Sequence, residues 1–155
     1  MGLRRLYVLR HGHAPSPHEA GVKTDYERPL SPEGRAAVRE AAEELARKGG
    51  KPALILHSPL VRAAQTAAVA AEVLRPPRVE EFQPLRNELP PADLAEELRR
   101  RCLEVDEALA VGHQPQLGEL VAHLSGKVAE LRPGGLAALD LSDGAVRLLW
   151  SRNPS

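Results

Sequence analysis

The chain has 155 residues, 43% of them hydrophobic, enough to bury one core and read as one compact domain over 1–155. Its 21 Lys and Arg balance its 21 Asp and Glu, and aromatics make up 3%, so neither an overall basic field nor stacking platforms direct it to nucleic acid. No apolar run approaches the ~18 residues that cross a bilayer, Leu6-Tyr7-Val8-Leu9 is too short for a secretory signal, and the lone Cys102 cannot make an internal disulfide. Together these imply a reduced, cytoplasmic setting with no membrane partner.

Residues 4–10 carry the continuous apolar run Leu6-Tyr7-Val8-Leu9, the pattern of a strand covered on both faces, and end in Arg10-His11-Gly12. Residues 13–30, rich in proline and without apolar period, read as a long loop. Ser31, followed by Pro32 at a first helical position, opens a helix in which Val38, Ala41, Ala42 and Leu45 recur at helical spacing until Gly49-Gly50. Ala53-Leu54-Ile55-Leu56 form a second buried strand leading into His57-Ser58-Pro59. A helix capped by Ser58 follows, with an apolar stripe through Val61, Ala64, Ala68, Ala71 and Leu74, and stops at Pro76-Pro77.

A weaker strand over 78–82 and a charged helix from Ala92 to Cys102 come next. The strand from Ala108 to Val111 then runs into Gly112-His113-Gln114-Pro115, where Pro115 opens a helix to about Leu124. Residues 136–141 and 146–150 flank Ser142-Asp143-Gly144, the turn chemistry of a hairpin. Strand and helix alternate through most of the length. That order predicts a single-domain, three-layer α/β sandwich: a mostly parallel central sheet with an antiparallel edge, helices on both faces, and no large lid insertion.

In such a sheet, ligands bind beyond the carboxyl ends of the strands. Arg10-His11-Gly12, Ser58-Pro59 with Arg62, and Gly112-His113 each sit just past a predicted strand, so two arginines and two histidines can converge on one pocket. That set matches a phosphoryl group. Arginine is always charged and pairs bidentately with phosphate oxygens, and a neutral imidazole, with a pKa of about 6.5, attacks phosphorus without a separate base. The neighbouring arginines are expected to keep His11 unprotonated. His113 is left to stabilise the transferring group, the free N–H groups of the helix start add to the attraction for an anion, and Gly12 and Gly112 are expected to let backbone approach the ligand.

These motifs, with Ser58-Pro59-Leu60-Val61-Arg62-Ala63-Ala64-Gln65-Thr66 and Val111-Gly112-His113-Gln114-Pro115 in the right order along the chain, resemble the histidine phosphatase superfamily, also called phosphoglycerate-mutase-like. The resemblance implies that His11 becomes phosphorylated, that Arg10, Arg62 and His113 complete the phosphate pocket, and that neither metal nor cofactor is needed. The short stretch between Arg62 and His113 resembles the SixA-type phosphohistidine phosphatases, for which an open site suits a phosphohistidine carried on a protein partner. Arg28-Pro29-Leu30-Ser31 resembles the same subgroup and makes Arg28 a third candidate phosphate ligand; a solvated loop arginine is the competing interpretation.

Ester substrates need a general acid at the leaving group, and Glu88 is the candidate by position, with Asp93 second and ordinary surface acids the alternative. A phosphorus–nitrogen bond breaks more readily, so the thin case for an acid favours a phosphohistidine substrate. Three other functions compete: a broad small-molecule phosphomonoesterase, an inactive phosphate-binding module, and metal-dependent hydrolysis through His11-Gly12-His13 with His18. Cationic Arg10 weighs against the last.

Overall fold

A computed structural model of the chain describes residues 2–155. Strand β1 (Arg5–Arg10) is followed by a short helix α1 (Pro17–Ala20), helix α2 (Pro32–Arg47), strand β2 (Leu54–His57), helix α3 (Val61–Leu74), strand β3 (Arg78–Glu81) and helix α4 (Pro91–Arg101). Strand β4 (Glu107–Gly112), helix α5 (Gln116–Ser125) and the hairpin of β5 (Leu136–Asp140) and β6 (Arg147–Arg152) complete the chain. The six strands form one sheet in the order β3-β2-β4-β1-β5-β6. β1, β2, β3 and β4 run parallel, while β5 is antiparallel to β1 and β6 to β5. The expected mostly parallel α/β sheet with an antiparallel edge is the architecture found.

Alternation along β1 explains why its apolar run is unbroken. Leu6 and Val8 point to one face, where they pack with Leu94 and Leu98 of α4 and Leu117, Leu120 and Val121 of α5. Tyr7 and Leu9 point to the other, against Val38, Ala41, Ala42 and Leu45 of α2 and Ala63, Ala67 and Ala70 of α3. A strand covered on both sides has no polar face to offer. Cys102, just past α4, is fully buried in the first of these cores, and burial pushes its thiol up to about 11. Among the described residues no helix is long and apolar enough to cross a membrane.

The region read as a loop over 13–30 contains more structure than its composition implied. Ser16 and Glu19 form a reciprocal capping box around α1, with Ser16 N–H donating to Glu19 Oε1 at 2.9 Å and Glu19 N–H to Ser16 Oγ at 3.2 Å. Gly21 ends the helix at φ 72°, and a 3₁₀ turn follows at Asp25–Glu27. Ser31 caps α2 as expected, its Oγ accepting from Gly34 N–H at 3.0 Å. Ser58 does not cap α3: that helix starts at Val61 with Leu60 at its N-cap and no side-chain cap.

Leu109, in the middle of β4, is 1% exposed. Leu109→Ala should lower stability by about 2–5 kcal/mol, measured as a lower urea midpoint at unchanged slope.

Candidate functional site

Strand register brings the site together. β1 and β4 pair in parallel with Arg10 opposite Gly112, and β2 and β4 pair with His57 opposite Val111. Each ladder is extended by one bond past the strand ends, His11 N–H to Gly112 O at 2.9 Å and Ser58 N–H to Val111 O at 3.0 Å. His11, Ser58 and His113 therefore leave the sheet at one edge and one level. The two imidazole centroids are 5.1 Å apart, with the rings tilted by 58°.

One face of α3 organises the rest, because Arg62, Gln65 and Thr66 stand at i, i+3 and i+4. Thr66 Oγ1 donates to Arg62 O at 2.8 Å and accepts from Gly12 N–H at 3.1 Å, tying the segment after β1 to the helix. Gln65 Oε1 accepts from Leu30 N–H at 2.8 Å, holding the segment before α2. Arg62 itself donates from Nε to His11 Nε2 at 3.3 Å. The other ring nitrogen of His11, Nδ1, lies 2.8 Å from Gly12 O, and since a carbonyl only accepts, Nδ1 carries the proton. The lone pair of His11 is left on Nε2, facing the pocket.

That pocket is a cavity of about 240 Å³ lined by Arg10, His11, His13, Ala14, Arg28, Arg62, Asn87, His113, Gln114 and Pro133. His11, Arg62 and His113 are 8%, 7% and 4% exposed. Burial, more than the neighbouring cations, drives the His11 imidazole down to about 3; His113, Arg62 and Arg10 add smaller like-charge effects, and the Gly12 carbonyl opposes them. Burial first and Arg62 second hold His113 at about 4. So the arginines expected to keep His11 neutral do contribute, but desolvation leads. Arg10 is itself lowered by burial and then by Arg62, and its Nη1 donates to Leu131 O at 3.0 Å. Charged guanidinium beside uncharged imidazole, with no carboxylate among the described residues of the cavity wall, makes a site for an anion.

Several sequence expectations are corrected here. Gly12 does not line the cavity: its N–H is taken by Thr66, and a Cβ on it would stand 2.8 Å from Gly34 O and 2.9 Å from Val38 Cγ2. Close packing against α2, not approach to a ligand, requires glycine there. Gly112 likewise faces Leu85 and Leu117. Ser58 Oγ, instead of capping a helix, is 2.7 Å from His113 Nε2 and accepts from Leu60 N–H at 3.3 Å. Arg28 does line the cavity, but it is also a brace, donating to Pro15 O at 2.8 Å, Ala14 O at 2.9 Å and Asp25 Oδ1 at 2.8 Å.

Glu88 lies outside the cavity. Its side chain is 71% exposed and its carboxylate faces Arg86 at 3.8 Å. The loop instead presents Asn87, which sequence reasoning passed over. Asn87 N–H donates to Gln116 Oε1 at 3.2 Å and its Oδ1 accepts from Gln116 N–H at 3.0 Å, a reciprocal latch to the start of α5 made possible by a left-handed backbone at φ 79°. Asp93 sits exposed in the first turn of α4. Among the described residues no three His, Cys, Asp or Glu side chains gather closely enough to hold a metal ion; His13 is bonded to Ser31 Oγ at 2.8 Å and His18 is exposed on α1. A larger, mainly apolar hollow of about 490 Å³ is lined by Leu3, Leu98, Leu103 and Val146, with Glu96, Arg99 and His123 also on its wall.

Many solved structures resemble this chain in fold. Residues 6–130 match the profile of the histidine phosphatase superfamily (branch 1). An uncharacterised protein of Picosynechococcus is 34% identical over 149 residues, 92% of this chain and 87% of its own. The protein histidine phosphatase SixA, solved with tungstate, superposes with a TM-score of 0.78 at 25% identity, over 95% of each chain. A candidate phosphohistidine phosphatase SixA from Agrobacterium tumefaciens superposes with a TM-score of 0.85 at 24% identity, over 99% of this chain and all of that one. The chain belongs to the histidine phosphatase superfamily, branch 1. It is a phosphatase, a hydrolase, with a fold of the SixA type.

The buried imidazoles link stability to pH. Folded, His11 and His113 take protons only near about 3 and about 4; unfolded, they take them at about 6.5. Acid therefore favours the unfolded chain, and stability contributed by the neutral pair is present above pH ~6.5 and declines as pH falls toward 4, by on the order of 1–2 kcal/mol per histidine at pH 5. Urea unfolding at pH 7 and pH 5 should show that loss in the wild type. A His11→Asn, His113→Asn double variant should show a shallower one.

Proposed function

We propose that this phosphatase removes the phosphoryl group from phosphohistidine on a protein, by way of a phosphohistidine intermediate on its own His11 and without a metal. The observation that carries the proposal is the protonation geometry of His11: with Nδ1–H given to Gly12 O at 2.8 Å, the lone pair stays on Nε2, where it meets Arg62 Nε–H at 3.3 Å, in a cavity that Arg10 and His113 also line. Depression of this imidazole to about 3 keeps the nucleophile unprotonated at neutral pH.

In the first half-reaction His11 Nε2 attacks phosphorus and a new P–N bond forms as the bond from phosphorus to the leaving group breaks. For a phosphohistidine substrate that bond is also P–N; with a proton already on its other ring nitrogen, the departing imidazole leaves neutral and needs no acid from the pocket. Arg10 and Arg62 pair with the phosphoryl oxygens. His113 donates to them from Nδ1 when the Ser58 hydroxyl donates to its Nε2, 2.7 Å away. In the second half-reaction water attacks the phosphorus on His11, giving inorganic phosphate and the free imidazole again.

Two features support a protein-borne phosphohistidine over an oxygen ester. No Asp or Glu is among the described residues that line the cavity, and the Asp25 carboxylate just outside it is paired with Arg28 and Arg62, which hold it low and leave it no proton for an alkoxide leaving group. Nor does the stretch between Arg62 and His113 build a lid: helix α4 packs into the core through Leu94 and Leu98, and only Asn87 from that stretch reaches the cavity wall. A side chain presented on a protein surface can enter such a site.

His11→Ala should abolish turnover with the fold retained, and acid-labile, base-stable label from a phosphohistidine protein should appear on His11 of the wild type. Side-by-side rates on a phosphohistidine protein, sugar phosphates and nucleotides test the substrate. Faster hydrolysis of the small esters would replace this reading with a broad phosphomonoesterase, and anion binding without labelling would replace it with an inactive phosphate-binding module.

A further inference from the structure

Asp25 lies outside the cavity wall, with a side chain 61% exposed, yet it holds two of the arginines that form that wall. Its Oδ1 accepts from Arg28 Nη1 at 2.8 Å and its Oδ2 from Arg62 Nη2 at 3.1 Å, while its backbone carbonyl accepts from Arg62 Nη1 at 2.9 Å. Both terminal nitrogens of Arg62 are thus gripped by one residue. A guanidinium is a rigid plane, so fixing its Nη edge fixes the direction of its Nε–H. That Nε–H points to His11 Nε2 at 3.3 Å.

We infer that Asp25 is a positioning residue, whose carboxylate and carbonyl aim the Nε edge of Arg62 at the reacting face of His11 and, by standing between Arg28 and Arg62, hold two like charges on one pocket. The inference rests on the reading of His11 as the nucleophile. Asp25 touches neither substrate nor phosphorus; it acts through Arg62. Arg28, already braced on Pro15 O and Ala14 O, serves as the fixed end of the strut. The 3₁₀ turn at Asp25–Glu27, capped by Glu27 Oε1 accepting from Thr24 N–H at 3.2 Å, sets the backbone carbonyl and the carboxylate at the same guanidinium.

A strut and a gate make opposite predictions. If Asp25 aims Arg62, its loss misdirects a group needed at the moment of transfer, while the pocket becomes more positive and ground-state anion binding does not suffer. If its carboxylate instead competes with the incoming phosphoryl group, its loss frees the pocket and speeds turnover.

The test uses the full chain with Asp25→Ala and Asp25→Asn, the latter keeping size and one acceptor. The substrates are a phosphohistidine protein and p-nitrophenyl phosphate, and inorganic phosphate serves as competitive inhibitor. Expected for Asp25→Ala is a kcat lower by about 10- to 100-fold with phosphate inhibition unchanged or tighter, and for Asp25→Asn a smaller loss. A ¹⁵N spectrum should show the Arg62 Nε–H resonance shifted or broadened in Asp25→Ala, a readout independent of turnover. Unchanged kcat, or a higher kcat with tighter phosphate inhibition, would overturn the inference. So would an Arg62 Nε–H resonance identical to that of the wild type, or an early-melting Ala variant beside an Asn variant of full activity. If wild-type protein hydrolyses p-nitrophenyl phosphate but not phosphohistidine, the substrate reading fails while the role of Asp25 is still measured on the ester.

Discussion

The parallel pairing of β1 with β4 is the constraint on which the site depends. It sets Arg10 level with Gly112 and so makes the next residue of each strand a histidine. A slip of one residue would turn Leu6, Tyr7, Val8 and Leu9 to the wrong faces, and both helical layers oppose it. Hydrophobic packing on two sides thereby enforces, at the strand ends, a separation of 5.1 Å between two imidazoles. Chemistry at the edge takes its precision from the core beneath it.

Second to the register comes the exclusion of water. His11 and His113 are uncharged chiefly because they are buried, and only secondarily because cations stand nearby. An anion entering the cavity meets guanidinium groups whose hydrogen bonds are already directed by Leu131, Pro15, Ala14 and Asp25. Little reorganisation is left for the moment of binding, which is where preorganised polar groups gain their advantage over solvent.

Much of this was legible in the chain, and the parts that were not share a cause. Short apolar runs ending in Arg10-His11, Ser58 and Gly112-His113 announced both the parallel sheet and the edge at which the polar groups meet. Ser31-Pro32 announced a helix start because capping is local. The capping box of Ser16 and Glu19 was equally local and could have been read from its spacing. Other features depend on which segments come into contact. Gly12 is glycine because α2 passes against it, Ser58 serves His113 and not a helix end, and Asn87 reaches the pocket through Gln116. Position alone points to Glu88, and a turn of one residue separates the side chain that faces the cavity from the one that faces solvent. Asp25 had no signal beyond standing three residues before Arg28.

Cys102 gives the fold one more property. Its thiol is sealed in the layer formed by α4 and α5 and raised to about 11, so almost none of it is thiolate near neutral pH. Oxidants and alkylating agents find no nucleophile while that layer is closed. The chain's single sulfhydryl is thus part of the packing between the sheet and the layer of Leu94, Leu98, Leu117 and Leu120, and not of its reactive surface. It takes no part in the wall of the cavity that holds His11 and His113.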